Sequence, residues 1–207
     1  MKKINIKNVE IDLYDNIGVS ISGGADSAIL SYILMKHTTN PIHFFTIAVE
    51  EKKFVTIKHS VDVIKKCIEL TGNLNVFHHI KYVSKYNREE YHNFLTENVI
   101  NGTVDIVYSA TTSIPSIKDL NSFKNKLDIE IIRRRFPLIK KSFYSNENKL
   151  YHPFINLDKK FIKELYQEFN VVNELFSLTR SCESFSIFDQ HCGECWWCEE
   201  RKWAFSI

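Results

Sequence analysis

The run Ser22-Gly23-Gly24-Ala25-Asp26-Ser27 gathers small residues, two hydroxyls and one carboxylate. Small residues let backbone N–H groups close around a phosphate, and a helix starting here adds its dipole to the attraction. Ser22 and Ser27 have hydroxyls to donate to phosphoryl oxygens. Asp26 would repel a phosphate, so it is expected to hold Mg2+ or to fix the loop. The Gly-Lys-Ser/Thr ending of a Walker A loop is missing, which weakens a kinase or GTPase reading. An ordinary strand-to-helix turn is the competing explanation, and the strand before and helix after the run favour a phosphate site.

A second constellation lies near the far end of the chain. Cys182, Cys192, Cys195 and Cys198 crowd together there, while Cys67 stands alone upstream. Two successive Cys-x-x-Cys spacings point to thiolates gathered around a metal rather than to a disulfide framework. Four thiolates complete a tetrahedral Zn2+ and leave no open position, so the metal is expected to be structural. Free or disulfide-bonded thiols and an iron–sulfur cluster are the alternatives, and His191 is the nearby competing ligand. Cys67 shares a helix face with Ile64 and Ile68 and reads as a small buried hydrophobe.

These residues need elements to hold them. Asn16 to Ser22 reads as a strand, with Ser20 close to its end, and Asp26 to Met35 as a helix. Ile42 to Val49 is expected to be the second strand, and Phe54, Ile57, Val61, Ile64 and Ile68 mark one face of the next helix. Asn75 to Val83 reads as strand, Arg88 to Asn101 as helix, Asp105 to Ser109 as strand, and Lys159 to Phe169 as helix. Such alternation predicts an α/β fold, a parallel sheet with helices on both faces. Ligands of such sheets sit beyond the strands' carboxyl ends, so Ser22–Ser27 and Ser109–Ser113 should face one crevice. Phe45, Thr46 and Ile47, ending the second strand, are candidate walls of an adenine pocket. His78 and His79 alternate sides of their strand, one packing and one exposed.

From Thr111 to Tyr151 periodicity is lost, and a substrate lid or insertion is expected. It carries the basic run Arg133-Arg134-Arg135 with Lys140 and Lys141, read mainly as a solvated face, although one arginine could reach a triphosphate. The 207 residues favour one domain, 1–207, with 177–207 as a carboxyl-terminal zinc-binding module. The hydrophobic fraction of 44% and charged fraction of 25% are ordinary for a globular chain. A net charge of +2 gives no case for wholesale nucleic-acid or membrane binding. The opening Met1-Lys2-Lys3-Ile4-Asn5 lacks a signal-peptide pattern, and no apolar run reaches bilayer length, so a cytoplasmic location is expected.

The hexapeptide resembles the PP-loop, Ser-Gly-Gly-x-Asp-Ser, of the ATP pyrophosphatases that include GMP synthetases, argininosuccinate synthetases and tRNA thiolation enzymes. Thr179-Arg180-Ser181-Cys182, followed by His191-Cys192-Gly193-Glu194-Cys195-Trp196-Trp197-Cys198 and Arg201, Ala204 and Phe205, resembles the carboxyl end of 7-cyano-7-deazaguanine synthases. Pro153 to Lys160 occupies the place of that family's Pro-Leu-x-x-Leu-x-Lys. The family's Tyr-Gly-Gln-x-His and Tyr-Pro-Asp-Cys-Arg segments have no counterpart, and Arg180 stands where it has tryptophan.

The resemblance implies an ATP-dependent carbon–nitrogen ligase. Ser20, Ser22, Gly23, Gly24, Ala25, Asp26 and Ser27 would bind ATP, with Ser22, Asp26 and Ser27 catalytic, and Cys182, Cys192, Cys195 and Cys198 would bind zinc. Implied cofactors are ATP, Mg2+ and Zn2+. The implied reaction adenylates 7-carboxy-7-deazaguanine, forms an amide with ammonia and dehydrates it to the nitrile. Related synthases often pair as homodimers, so the resemblance admits a homodimer, and nucleic acid is neither required nor excluded. Rival readings are an enzyme of the same fold that modifies tRNA, and an ATP-binding defence or signalling module.

Overall fold

Ile4 and Ile6 alternate with polar residues in β1 (Lys2–Ile6), as do Val9, Ile11 and Leu13 in β2 (Val9–Leu13), and the two strands form an antiparallel hairpin with Ile6 opposite Val9. Its two-residue turn places Lys7 and Asn8 at φ 47° and 67°, the left-handed geometry that suits hairpin twist and that asparagine tolerates. The computed structural model describes residues 2–123, 144–145, 147, 149–184 and 190–206. The Arg133–Arg135 run, Lys140 and Lys141 lie outside the described residues.

After the hairpin come β3 (Ile17–Ser20), α1 (Ala25–His37), β4 (Ile42–Val49), α2 (Val55–Thr71), β5 (Val76–Val83), α3 (Arg88–Ile100) and β6 (Ile106–Tyr108). A short helix α4 (Ile117–Leu120), strands β7 (Tyr144–Ser145) and β8 (Leu150–Tyr151), and helices α5 (Lys159–Glu168) and α6 (Trp196–Phe205) complete the described chain. The main sheet runs in the order β5-β4-β3-β6-β8-β7. All its neighbours are parallel except β7, which pairs antiparallel with β8 at the edge.

The expected α/β architecture, a parallel sheet with helices on both faces, is what the chain forms. Ile17, Val19, Ile42, Phe44, Ile106 and Tyr108 face a large core shared with α1, α2, α5 and α6. Phe45, Val107 and Leu150 point to the opposite face, where Leu95, Tyr91, Phe94 and Val99 of α3 cover them. Every residue of α1 from Ser27 to Met35 is buried, so this helix is enclosed by the sheet and its neighbours rather than lying at the surface. Among the described residues, no helix is long and apolar enough to cross a membrane.

Two elements lacked a reading in the sequence. The hairpin was legible in its period-two pattern around Lys7-Asn8. Helix α6 was hidden because its first turn, Trp196 to Glu199, overlaps the cysteine motif. Within the segment expected to be an aperiodic lid, α4, β7 and β8 add short regular pieces, and β8 extends the sheet beside β6.

Candidate functional site

Strand β3 lies between β4 and β6, and the chain leaves it in opposite directions across the sheet: β4 and β5 to one side, β6 and β8 to the other. Such a switch point opens a crevice at the carboxyl ends of the strands. Ser22 to Ser27 sits there, joining β3 to α1.

Gly23 has φ +76°, and a Cβ on it would lie 2.4 Å from His59 Cβ and 2.6 Å from the His59 carbonyl carbon. Only glycine meets both demands, because the left-handed backbone and the contact with α2 each exclude a side chain. Gly24 is the N-cap of α1 without a side-chain cap, so the first-turn N–H groups face the crevice without intrahelical acceptors. Ser27 Oγ donates to Gly24 O at 3.1 Å, and the Ser22 and Ser27 hydroxyls stand 3.4 Å apart, with Ser22 exposed.

Ser20 does not join this cluster. Its hydroxyl turns towards α3 and bonds Tyr91 Oη, whose own pKa burial raises to about 12. Ala25 is buried, and its carbonyl accepts from Tyr166 Oη at 2.8 Å. Phe45 and Thr46 are buried as well: Phe45 packs against α3, and Thr46 Oγ1 donates to Ile21 O at 3.0 Å. They brace the strand ends under the loop rather than line an opening. His78 Nε2 bonds Thr46 Oγ1, and His79 Nε2 bonds His43 Nδ1, both at 2.9 Å, so each histidine is half-buried and engaged. Ser109, ending β6, hydrogen-bonds Thr111 Oγ1 at 3.0 Å on the same edge of the sheet.

Asp26 extends from the first turn of α1 towards α5. Its Oδ2 lies 3.0 Å from Lys159 Nζ, while its Oδ1 is buried with no hydrogen-bond partner. Lys159 reaches Glu200 Oε2 at 3.4 Å as well, and the lysine and glutamate are both buried. An orphaned carboxylate oxygen beside a phosphate-binding loop fits a divalent cation. Glu200 and Tyr166 were not singled out from the sequence, and Lys159 entered only as the lysine of the Pro-Leu-x-x-Leu-x-Lys resemblance, with no role given to it. One signal was available: Lys159 is the first residue of α5, where the helix dipole disfavours a cation, so its presence asks for another reason.

The carboxyl-terminal segment closes over the loop. Arg180 N donates to Gly23 O at 3.0 Å, and His59 Nδ1 bonds Leu178 O at 3.2 Å. Arg201 Nη1 donates to Thr179 Oγ1 and Ser181 Oγ, Nη2 to Phe176 O, and its guanidinium stacks 3.7 Å over Phe176. The Arg180 side chain grips the carbonyls of Cys182, Ser184 and Gln190, bracing the loop that carries the first cysteine.

The four cysteines meet. Their Sγ atoms lie within 4.8 Å of one another, with Cys192 to Cys198 at 3.9 Å and Cys182 to Cys195 at 4.0 Å. Tetrahedral zinc with Zn–S bonds of about 2.3 Å needs sulfurs about 3.8 Å apart, so the donor set fits zinc. Backbone N–H groups of Ser184 and Cys192 point at Cys182 Sγ, and that of Cys195 at Cys192 Sγ. Desolvation alone would raise the Cys192 thiol, but N–H donors from Cys195 and Glu194 and its neighbouring thiols bring it down to about 6. Desolvation pushes Cys195 and Cys198 up, so a cation must displace their protons. His191, the competing ligand, turns its Nε2 to accept from Ser181 N at 3.1 Å. Cys67 is fully buried on α2, and burial raises its thiol far above the ordinary range.

Two family models match successive parts of the chain. One described as asparagine synthase matches residues 15–86, which hold the Ser22–Ser27 loop, and one described as queuosine biosynthesis protein QueC matches residues 130–207, which hold the cysteines. Each spans less than half of the chain, and together they liken it to ATP-dependent adenylating ligases. Among solved structures, NMN synthetase from Francisella tularensis is similar at 13% identity and a TM-score of 0.46, over 91% of this chain and 76% of that one. No curated protein sequence matches.

Proposed function

We propose that this chain, an adenylating ligase of the PP-loop type, activates a carboxylate with ATP and passes the acyl group to ammonia, and that its acceptor is 7-carboxy-7-deazaguanine. The observation that carries the reading is the Ser22–Ser27 loop at the sheet's switch point, its Gly23 locked against α2 and its helix N-terminus open to the crevice.

The acceptor carboxylate oxygen attacks the α-phosphorus of ATP and pyrophosphate leaves, giving an acyl adenylate. A carboxylate oxygen is a poor leaving group, whereas AMP is a good one, so ammonia can then attack the acyl carbon without a strong acid from the protein. In the second round the amide oxygen attacks the α-phosphorus of a new ATP and pyrophosphate leaves, and loss of AMP and the two nitrogen protons from the O-adenylated amide gives the nitrile. The loop N–H groups and the Ser22 and Ser27 hydroxyls hold the departing pyrophosphate, where charge develops. Asp26 would hold Mg2+ through Oδ1, and Mg2+ would supply charge neutralisation on the phosphates. Cys182, Cys192, Cys195 and Cys198 would hold a structural Zn2+, with 177–207 acting as a module of one domain.

A surface cavity of about 320 Å³ between Ser113–Ile117 and Asn156 and Asp158 supports an acceptor site near the β6 edge. The zinc-loaded protein, incubated with Mg-ATP, ammonium and 7-carboxy-7-deazaguanine, is expected to release pyrophosphate and form amide and then nitrile, read by mass spectrometry. Asp26→Ala should form neither. AMP without either product would retain the ligase chemistry and reject this acceptor.

A further inference from the structure

We propose that Glu200 is a positioning residue for the divalent cation that accompanies ATP, acting through Lys159 on Asp26. The proposal rests on the ATP-site reading above. Glu200 is 0% exposed, a state a glutamate tolerates only when its charge is answered. Its answering cation is Lys159 Nζ at 3.4 Å, and that same ammonium lies 3.0 Å from Asp26 Oδ2.

One ammonium thus bridges two carboxylates. The Arg201 charge also reaches Asp26, yet the guanidinium's N–H groups are committed to Thr179, Ser181 and Phe176 O. Asp26 nevertheless keeps Oδ1 buried and without a hydrogen bond, an oxygen that a further cation can take. With Glu200 neutral, the Lys159 and Arg201 charges would both answer Asp26, and an arriving divalent cation would meet excess positive charge. In a low-dielectric setting the loss of one charge carries far more weight than in water.

The position of Glu200 is set by the cysteine cluster. Cys195 is the N-cap of α6 and Cys198 lies in its first turn, so the helix that carries Glu200 is pinned at the end where the thiolates converge. The fold thus connects the metal knot to the loop through one buried side chain.

The test is calorimetric binding of α,β-methylene-ATP to the zinc-loaded full chain across a Mg2+ series, for wild type, Glu200→Gln and Glu199→Gln. Glu200→Gln is expected to need roughly tenfold more Mg2+ for half-maximal nucleotide affinity, with affinity in the absence of Mg2+ unchanged or raised. Glu199→Gln should match wild type. A purely architectural role would instead lower affinity equally with and without Mg2+, and that result, or a wild-type Mg2+ dependence, overturns the proposal. Failure of the wild type to bind nucleotide overturns both this inference and the ATP-site reading. If Glu200→Gln does not fold, Glu200→Asp, which keeps the charge at shorter reach, should raise the Mg2+ requirement about threefold, and an unchanged requirement overturns the proposal.

Discussion

The nucleotide loop and the cysteine tail are built by different physics. The loop is shaped by packing: β3 is buried on both faces, α1 is enclosed by its neighbours, and Gly23 is pressed against His59. Among the described residues, the tail ahead of α6 contributes no strand to the sheet. Its chain from Arg180 to Cys195 is held by four sulfurs, by the carbonyls gathered on Arg180 and by the Arg201 bonds to Thr179 and Ser181. A site carved from a core can present backbone N–H groups with little help from side chains. A site outside the core must use strong, directional ligands, and here those ligands also support the core site through Arg180 N and Gly23 O.

The sharpest way to break the comparison is to remove one of the tail's four converging cysteines. Cys198→Ser is expected to lose bound zinc, measured by atomic emission, and to lower Tm by roughly 10 °C or more, since about 1 kcal/mol moves Tm by 2–4 °C in a chain of this size. Nucleotide affinity should fall with it, because the tail braces Gly23. Retention of full affinity would mean that the two regions are independent.

The reciprocal experiment strikes the loop alone. Gly23→Ala forces a Cβ into His59 at a left-handed backbone position, and a loss of about 3 kcal/mol in denaturant unfolding is expected. Nucleotide binding should fall at least about a hundredfold while zinc content stays that of wild type. Joint loss of zinc would show that support runs in both directions.

Two smaller changes refine the contrast. Arg180→Ala removes three carbonyl contacts from the tail and should cost about 2 kcal/mol, read by thermal unfolding of the zinc-loaded protein. On the sheet side, desolvation and then the His92 charge push His152 down to about 4. A histidine depressed in the fold binds its proton more readily when unfolded, so its contribution to stability is present above about pH 6.5 and lost towards pH 4. The difference in unfolding free energy between wild type and His152→Gln should therefore shrink or reverse across that window, by on the order of 1–2 kcal/mol.

Much of the architecture was legible in advance because local patterns and global fold agree. Ile17, Val19, Ile42 and Phe44 lie in the strands that their apolar runs indicate, and Ile64, Cys67 and Ile68 meet the core as expected, whereas the buried face of α2 turns through Val55 and Val63 and leaves Phe54 exposed. The loop was legible for the same reason, since a switch-point turn between a buried strand and a buried helix is written in adjacent residues. Ser20 was less legible: its side chain alternates away from the loop to meet Tyr91, a partner 71 residues later. Phe45 and Thr46 looked available at the end of a strand, but covering layers on both faces close them in.

By itself the sequence determined the α/β order of elements, the glycine-rich turn from β3 into α1 and the four cysteines that converge. These follow from period, spacing and side-chain chemistry within short stretches of chain. The tertiary structure decided that Asp26, Lys159 and Glu200 form one buried cluster, and that Arg180 braces the cysteine loop while its backbone holds Gly23. Charges separated by 133 residues, as Asp26 and Lys159 are, carry no mutual signal in the sequence, because what pairs them is the packing of α1 against α5.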